Sequence, residues 1–84
     1  MAERKRYAQV GLGSRSGMYS YALVDLYSET SELVGLCDSN PGRLEDRMEF
    51  ARQHGAQPRG YLAGCFEQMI AETRPDVVIV TTVD

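Results

Sequence analysis

Gly11-Leu12-Gly13-Ser14-Arg15-Ser16-Gly17 follows directly on the apolar-rich run Tyr7-Ala8-Gln9-Val10. Glycine where a strand stops allows a tight turn, and a second glycine two residues on lets main-chain amides approach an anionic ligand closely. The loop then opens a helix, whose amino-terminal end suits a phosphate. A carboxylate, Asp38, ends a second apolar run, Glu32-Leu33-Val34-Gly35-Leu36-Cys37-Asp38, and lies 21 residues after Gly17. An acid at about that distance from a glycine-rich turn is placed to accept from the 2′-OH of an adenosine ribose and to repel a 2′-phosphate. The pair therefore points to a pyrophosphate-linked dinucleotide, NAD in preference to NADP, with NADP still possible. The third glycine of a G-x-G-x-x-G spacing falls at Ser16, and Gly17 comes one place late. Either the loop is one residue longer, or a small serine replaces glycine at the helix–strand contact. A purely structural reading of the same residues is a tight strand-to-helix turn and an Asp that caps the next helix.

Other groups gather at the same strand ends. Arg15, in the glycine loop, is placed to pair with a phosphate oxygen or lie along an adenine; an exposed arginine is the plain alternative. Arg43, early in the second helix, is placed to reach the adenine or a 2′-phosphate, against a surface role. Thr81 and Thr82 follow the last apolar run, and with a strand order of 3-2-1-4 their hydroxyls and amides line the cofactor cleft beside the end of the first strand. His54 falls in the last turn of a helix, where a cation suits the dipole. Cys37 reads as a small buried hydrophobe, Cys65 as an inert thiol near a helix start, and Tyr19, Tyr21 and Tyr27 as packing and surface residues. No spacing suggests a metal site.

The elements that carry these residues alternate. Tyr7–Val10 reads as a strand, and Met18, Ala22 and Leu26, with Tyr19 and Leu23, recur at helical spacing to about Tyr27, with Ser14 or Ser16 as cap. Glu32–Asp38 is the second strand. Asn40-Pro41 starts a helix, with Asn as cap and Pro in its first turn; Leu44, Met48 and Ala51 mark its buried face and Gly55 ends it. Arg59-Gly60-Tyr61 is a short strand. Phe66, Met69, Ile70 and Thr73 share one face of a third helix, which Pro75 stops. Asp76 to Thr82 holds the longest apolar run, Val77-Val78-Ile79-Val80, and is expected to be a fully buried parallel strand. The order β-α-β-α-(β)-α-β, with short right-handed crossovers, predicts an α/β fold: the first half of a doubly wound, Rossmann-type parallel sheet.

Composition narrows the function classes. The 84 residues hold one domain, 43% hydrophobic and 25% charged, which is globular rather than disordered. No apolar run approaches the roughly 20 residues of a membrane helix. Nine basic against twelve acidic residues leave a charge of −3, which argues against general nucleic-acid binding. Arg4-Lys5-Arg6 reads as a solvated leader without a secretory apolar segment behind it. Two cysteines without metal or disulfide spacing suit a reducing cytoplasm.

Three segments together resemble a known family. Val10-Gly11-Leu12-Gly13-Ser14-Arg15, then Leu36-Cys37-Asp38-Ser39-Asn40-Pro41-Gly42-Arg43-Leu44, then Arg74-Pro75-Asp76-Val77-Val78-Ile79-Val80-Thr81-Thr82 are similar to segments of the Gfo/Idh/MocA oxidoreductases, which are NAD(P)-dependent sugar and inositol dehydrogenases and their relatives. The resemblance spans essentially the whole chain. It implies Gly11 and Gly13 at the pyrophosphate, Asp38 at the adenosine ribose, Arg43 near the adenine and Thr82 near the nicotinamide half. Val83 stands where many members carry proline. It also implies a parent enzyme that transfers hydride between a nicotinamide and a sugar- or polyol-like substrate.

The family's Glu-Lys-Pro motif, whose lysine acts on the substrate, and its substrate domain are not among these residues; the one lysine is Lys5. Residues 1–84 are thus expected to be the amino-terminal portion of a dinucleotide-binding domain, cut after its fourth strand, with no catalytic residue of their own. The last strand is expected to form an apolar edge through which chains self-associate. Two other classes fit more weakly: a non-catalytic NAD-sensing module, and an S-adenosylmethionine-binding fold, although Arg15 occupies the third glycine position of the latter's G-x-G-x-G.

Overall fold

The computed structural model describes residues 4–13, 17–23, 27 and 29–81. Four strands, β1 (Lys5–Val10), β2 (Ser31–Asp38), β3 (Arg59–Leu62) and β4 (Val77–Val80), form one sheet in the order β3-β2-β1-β4. All neighbouring strands are parallel. The helices are α1 (Gly17–Tyr21), α2 (Pro41–Gln53) and α3 (Phe66–Thr73), the last entered through a 3₁₀ turn at Ala63–Cys65. This is the expected half of a doubly wound fold, with the predicted strand order.

Local chemistry sets the helix boundaries. The Asn40 side chain accepts from the amides of Gly42 (2.8 Å) and Arg43 (3.1 Å), and Pro41 supplies a fixed φ where no N–H is needed. α2 stops at His54, followed by Gly55 at φ +84°. Arg74 ends α3 in the left-handed region at φ 48°, and its amide still reaches the Ile70 carbonyl at 3.0 Å. The Arg6 side chain donates to the Thr73 and Arg74 carbonyls, tying the end of α3 to β1.

Each face of the sheet buries its own cluster. Leu12, Leu23, Leu33, Leu36 and Ala51 form one, with Leu44 and Met48 of α2 against it. Ala8, Cys37, Tyr61 and Met69 form the other, beneath α3. The β1–β2 register shifts between Tyr7 and Ala8, so Val34 has no partner and the two halves of β2 keep their apolar residues facing the right layers.

The structure adds detail to the first helix and corrects the expectation for the last strand. Met18, one of the residues at helical spacing, is 68% exposed, whereas Ser20 and Leu23 on the same segment are buried. The first helix is seen over Gly17–Tyr21, residues 24–26 lie outside the described residues, and Tyr27 lies in a turn with its amide bonded to the Ala22 carbonyl at 2.7 Å. β4 is not fully buried: it occupies the sheet edge, its first three residues are half-buried and Val80 is 61% exposed. Leu26, Ser14, Arg15, Ser16, Thr82 and Val83 lie outside the described residues.

Candidate functional site

The carboxyl ends of β1, β2 and β4 converge on the glycine turn. Gly11 leaves β1 at φ +86°, a conformation that side chains rarely adopt, and its amide bonds to the Cys37 carbonyl at 2.9 Å. That bond and the parallel ladder bring Leu12 against the end of β2, where its amide donates to Asp38 Oδ2 at 3.2 Å. From β4's side, Thr81 donates its amide to the Val10 carbonyl (2.9 Å) and its hydroxyl to the Gly11 carbonyl (2.7 Å). Gly11, Gly13, Asp38, Arg43 and Thr81, five of the residues singled out in the sequence, therefore border one cleft of about 220 Å³, with Leu12 and Ser39.

Asp38 is the electrostatic centre of the cleft. Its side chain is 4% exposed. Arg43 grips it from α2 through Nε to Oδ2 (2.7 Å) and Nη2 to Oδ1 (3.0 Å), while the Asn40 amide (3.3 Å) and Ser39 hydroxyl (3.4 Å) also donate to Oδ1. The Arg43 guanidinium, helped by the Asn40 and Leu12 amides, outweighs burial and holds this carboxyl well below the usual carboxylate range. Asp38 in turn raises the Arg43 pKa. The neighbouring Cys37 thiol is pushed up, first by burial and then by the Asp38 charge, and its Sγ contacts the Leu62 carbonyl at 3.6 Å. Cys65 is exposed, and neither thiol is in a disulfide.

A polar thread beneath the loop has no counterpart in the sequence reading. Gln9, fully buried in β1, accepts from the Ser20 hydroxyl; Ser20 accepts from Arg47 Nη1 at 2.8 Å, and Arg47 Nη2 reaches the Leu12 carbonyl at 3.4 Å. Burial lowers the Arg47 pKa while the Asp38 charge raises it. The thread ties α1 and α2 to the turn that Gly11 begins. Its only sequence signal is Gln9, a polar residue inside an otherwise apolar strand. His54 serves the helix end, its Nδ1 3.0 Å from the Phe50 carbonyl and its ring tilted against Phe50.

Four parallel strands in this order, a left-handed glycine after the first and a buried acid at the end of the second define the opening half of a Rossmann-type doubly wound fold. Solved structures show the same arrangement. The chain is similar to the WlbA dehydrogenase from Bordetella pertussis, solved in complex with NADH and UDP-GlcNAcA, with 26% identity and a TM-score of 0.73 over 95% of this chain. It is similar also to the WlbA dehydrogenase from Chromobacterium violaceum in complex with the same two ligands, with 30% identity and a TM-score of 0.70 over 98% of this chain. It spans 22% of the length of each. No family model and no curated protein matches the chain. The resemblance of its motifs to the amino-terminal Rossmann part of the Gfo/Idh/MocA oxidoreductases stands on sequence and fold together.

Proposed function

We propose that this chain is the NAD-binding portion of a Gfo/Idh/MocA-type oxidoreductase, one that transfers hydride between the nicotinamide and a sugar- or polyol-like substrate. The observation that carries the reading is the buried Asp38 carboxylate at the end of β2, held beside the Gly11 turn by the Leu12 amide. Gly11, Gly13 and the adjoining backbone are the residues to receive the pyrophosphate, Asp38 the ribose hydroxyls, and Arg43 the adenine edge. Thr81, already bonded to Gly11, borders the cleft, and the family resemblance assigns the nicotinamide half to Thr82. Ser14, Arg15 and Ser16 complete the phosphate loop. The nicotinamide, when bound, supplies the hydride chemistry, and the groups that handle the substrate belong outside residues 1–84. NADH and a nucleotide sugar in both similar dehydrogenases support this choice of cofactor and substrate class.

Calorimetric titration of the folded chain tests the reading. Saturable binding of NAD, tighter than that of NADP because Asp38 faces the 2′ position, is the expected result. A chain that is folded by circular dichroism and takes up neither nucleotide overturns it.

The same proposal places the chain in the cytoplasm, where two unpaired thiols are stable. No helix among the described residues is long and apolar enough to cross a membrane. A second copy is proposed to pair along β4, whose four residues carry no charge to oppose edge-to-edge contact. Light scattering is expected to show concentration-dependent association, abolished in Val80→Lys. A wild-type chain that stays monomeric with its fold intact counts against pairing.

A further inference from the structure

We propose that Arg43 is a displaceable clasp on Asp38, so that a dinucleotide's ribose reaches the carboxylate only by taking the place of the guanidinium. The inference rests on the NAD-binding reading and adds a step to it.

An ionised carboxylate offers about four lone-pair positions. Those of Asp38 meet five donors: the Leu12 amide at 3.2 Å, the Asn40 amide at 3.3 Å, the Ser39 hydroxyl at 3.4 Å, and Arg43 Nε and Nη2 at 2.7 and 3.0 Å. With the side chain 4% exposed, no acceptor position remains for a ribose hydroxyl. One donor has to leave. The Leu12 and Asn40 donors are main-chain groups, fixed by the glycine turn and by the cap of α2. The Ser39 bond is the longest of the five, and its departure would open a single position for a diol that presents two hydroxyls.

Arg43 differs in both respects. It occupies two positions side by side, the geometry a vicinal diol needs, and it is held there by its side chain alone, which is 49% exposed. Its backbone stays anchored in the first turn of α2 by Asn40, so only side-chain rotation is required. There is also somewhere to go. Arg43 borders both the cleft shared with Gly11 and Asp38 and a neighbouring cavity of about 290 Å³ that Asp46 and Phe50 line. Asp46, one turn further along α2, offers the displaced guanidinium a carboxylate at i+3 spacing. Arg47 keeps a positive charge acting on Asp38 after Arg43 has swung away.

The clasp makes a prediction of opposite sign for the two cofactors. NAD exchanges two hydroxyls for the guanidinium and must break the ion pair. NADP brings a 2′-phosphate toward Asp38 and depends on Arg43 to neutralise it. Removing the guanidinium therefore helps the first and harms the second.

The test titrates the full chain, wild type and Arg43→Met, with NAD and NADP separately, and follows the Arg43 Nε–H by ¹⁵N NMR in the wild type. Methionine keeps the apolar stem and removes the donors. Arg43→Met is expected to bind NAD about fivefold tighter and NADP about fivefold weaker, the scale of a partly exposed ion pair. On addition of NAD, the wild-type Nε–H signal is expected to move to its position in Asp38→Asn. NAD binding unchanged or weakened in Arg43→Met, or an Nε–H signal unmoved at saturation, overturns the clasp and leaves cofactor binding standing. Absence of saturable NAD binding by both chains overturns the clasp and the NAD-binding reading together.

Discussion

Asp38→Ala is expected to lower the stability of the fold by about 3 kcal/mol at pH 7 and to cost NAD affinity by more than tenfold. The stability loss comes from the donors left behind. The Leu12 amide, whose bond to Oδ2 is buried, loses its acceptor, and the Asn40 amide loses one as well. An orphaned buried donor such as the Leu12 amide costs about 1–3 kcal/mol, and loss of the charge-assisted bonds to Arg43 adds to it. Against a total of about 4–12 kcal/mol for a domain of this length, the loss is a large fraction. It falls on the segment that forms the cleft, because Asp38 joins the glycine turn to the start of α2.

The effect carries a pH signature with a definite sign. The folded-state pKa of Asp38 lies far below its unfolded value of about 3.9, chiefly through Arg43. Its contribution is therefore present in full above the unfolded pKa and is lost as pH falls below about 4 toward the folded value. Glu49 and Glu72 also have lowered pKa values, through Arg52 and Tyr61 first, but they are common to wild type and variant and cancel in the comparison. Urea midpoints at pH 7, 5 and 3 should show the gap between wild type and Asp38→Ala nearly constant from 7 to 5 and narrower at 3. A gap that does not narrow would mean that the carboxylate charge contributes nothing to the fold.

Met69→Ala is expected to cost about 3 kcal/mol, and its effect reaches the site from the opposite face of the sheet. α3 has only eight residues, and among them Met69 and Thr73 are the ones buried. Met69 is wholly enclosed with Ala8, Cys37 and Tyr61 and lies on Gly35 of β2 so closely that a β-carbon there would stand 3.0 Å from its Cγ and Sδ. Truncation leaves a cavity between α3 and the central strands, and loosens the helix that delivers the chain to β4 and Thr81. Met69→Leu, which nearly conserves volume, is expected to cost less than about 1.5 kcal/mol. The close approach of Gly35 supplies a second reading: Gly35→Ala is expected to destabilise the wild type and to be tolerated, or partly restorative, in Met69→Ala. Denaturation of the four chains measures the coupling, which for residues in contact is about 0.5–3 kcal/mol. Strict additivity would show that this contact is not what sets the spacing of α3 on the sheet.

Most of the architecture was legible because it is encoded within a few residues. Asn40-Pro41 starts α2 through bonds to residues two and three places on, and Gly55 ends it with a conformation most side chains avoid. The continuous apolar runs of β2 and β4 and the helical spacing between them imply parallel strands with crossovers, and the glycine turn and Asp38 reveal the site by type and separation. The first helix shows the limit of such signals: helical periodicity names a stripe, but which residues of a short helix meet the sheet depends on how that helix is set down. Here Ser20 and Leu23 face inward and Met18 does not.

The sequence alone determined the class of fold, the strand order that right-handed crossovers allow, and the identity of the acid at the end of β2. Tertiary structure decided what that acid touches. The Leu12 amide lies 26 residues from Asp38, Arg47 lies 27 from Ser20 and 35 from the Leu12 carbonyl, and Thr81 lies 70 from the Gly11 carbonyl it caps. Local propensity carries no information over such separations. Even Arg43, five residues from Asp38, has its position fixed only when the end of β2 and the first turn of α2 are packed beneath the glycine turn. An isolated strand–helix segment would leave both groups in water, where exchange with solvent makes the pairing weak. Burial of the carboxylate turns it into a bidentate clasp, and burial is a property of the assembled sheet.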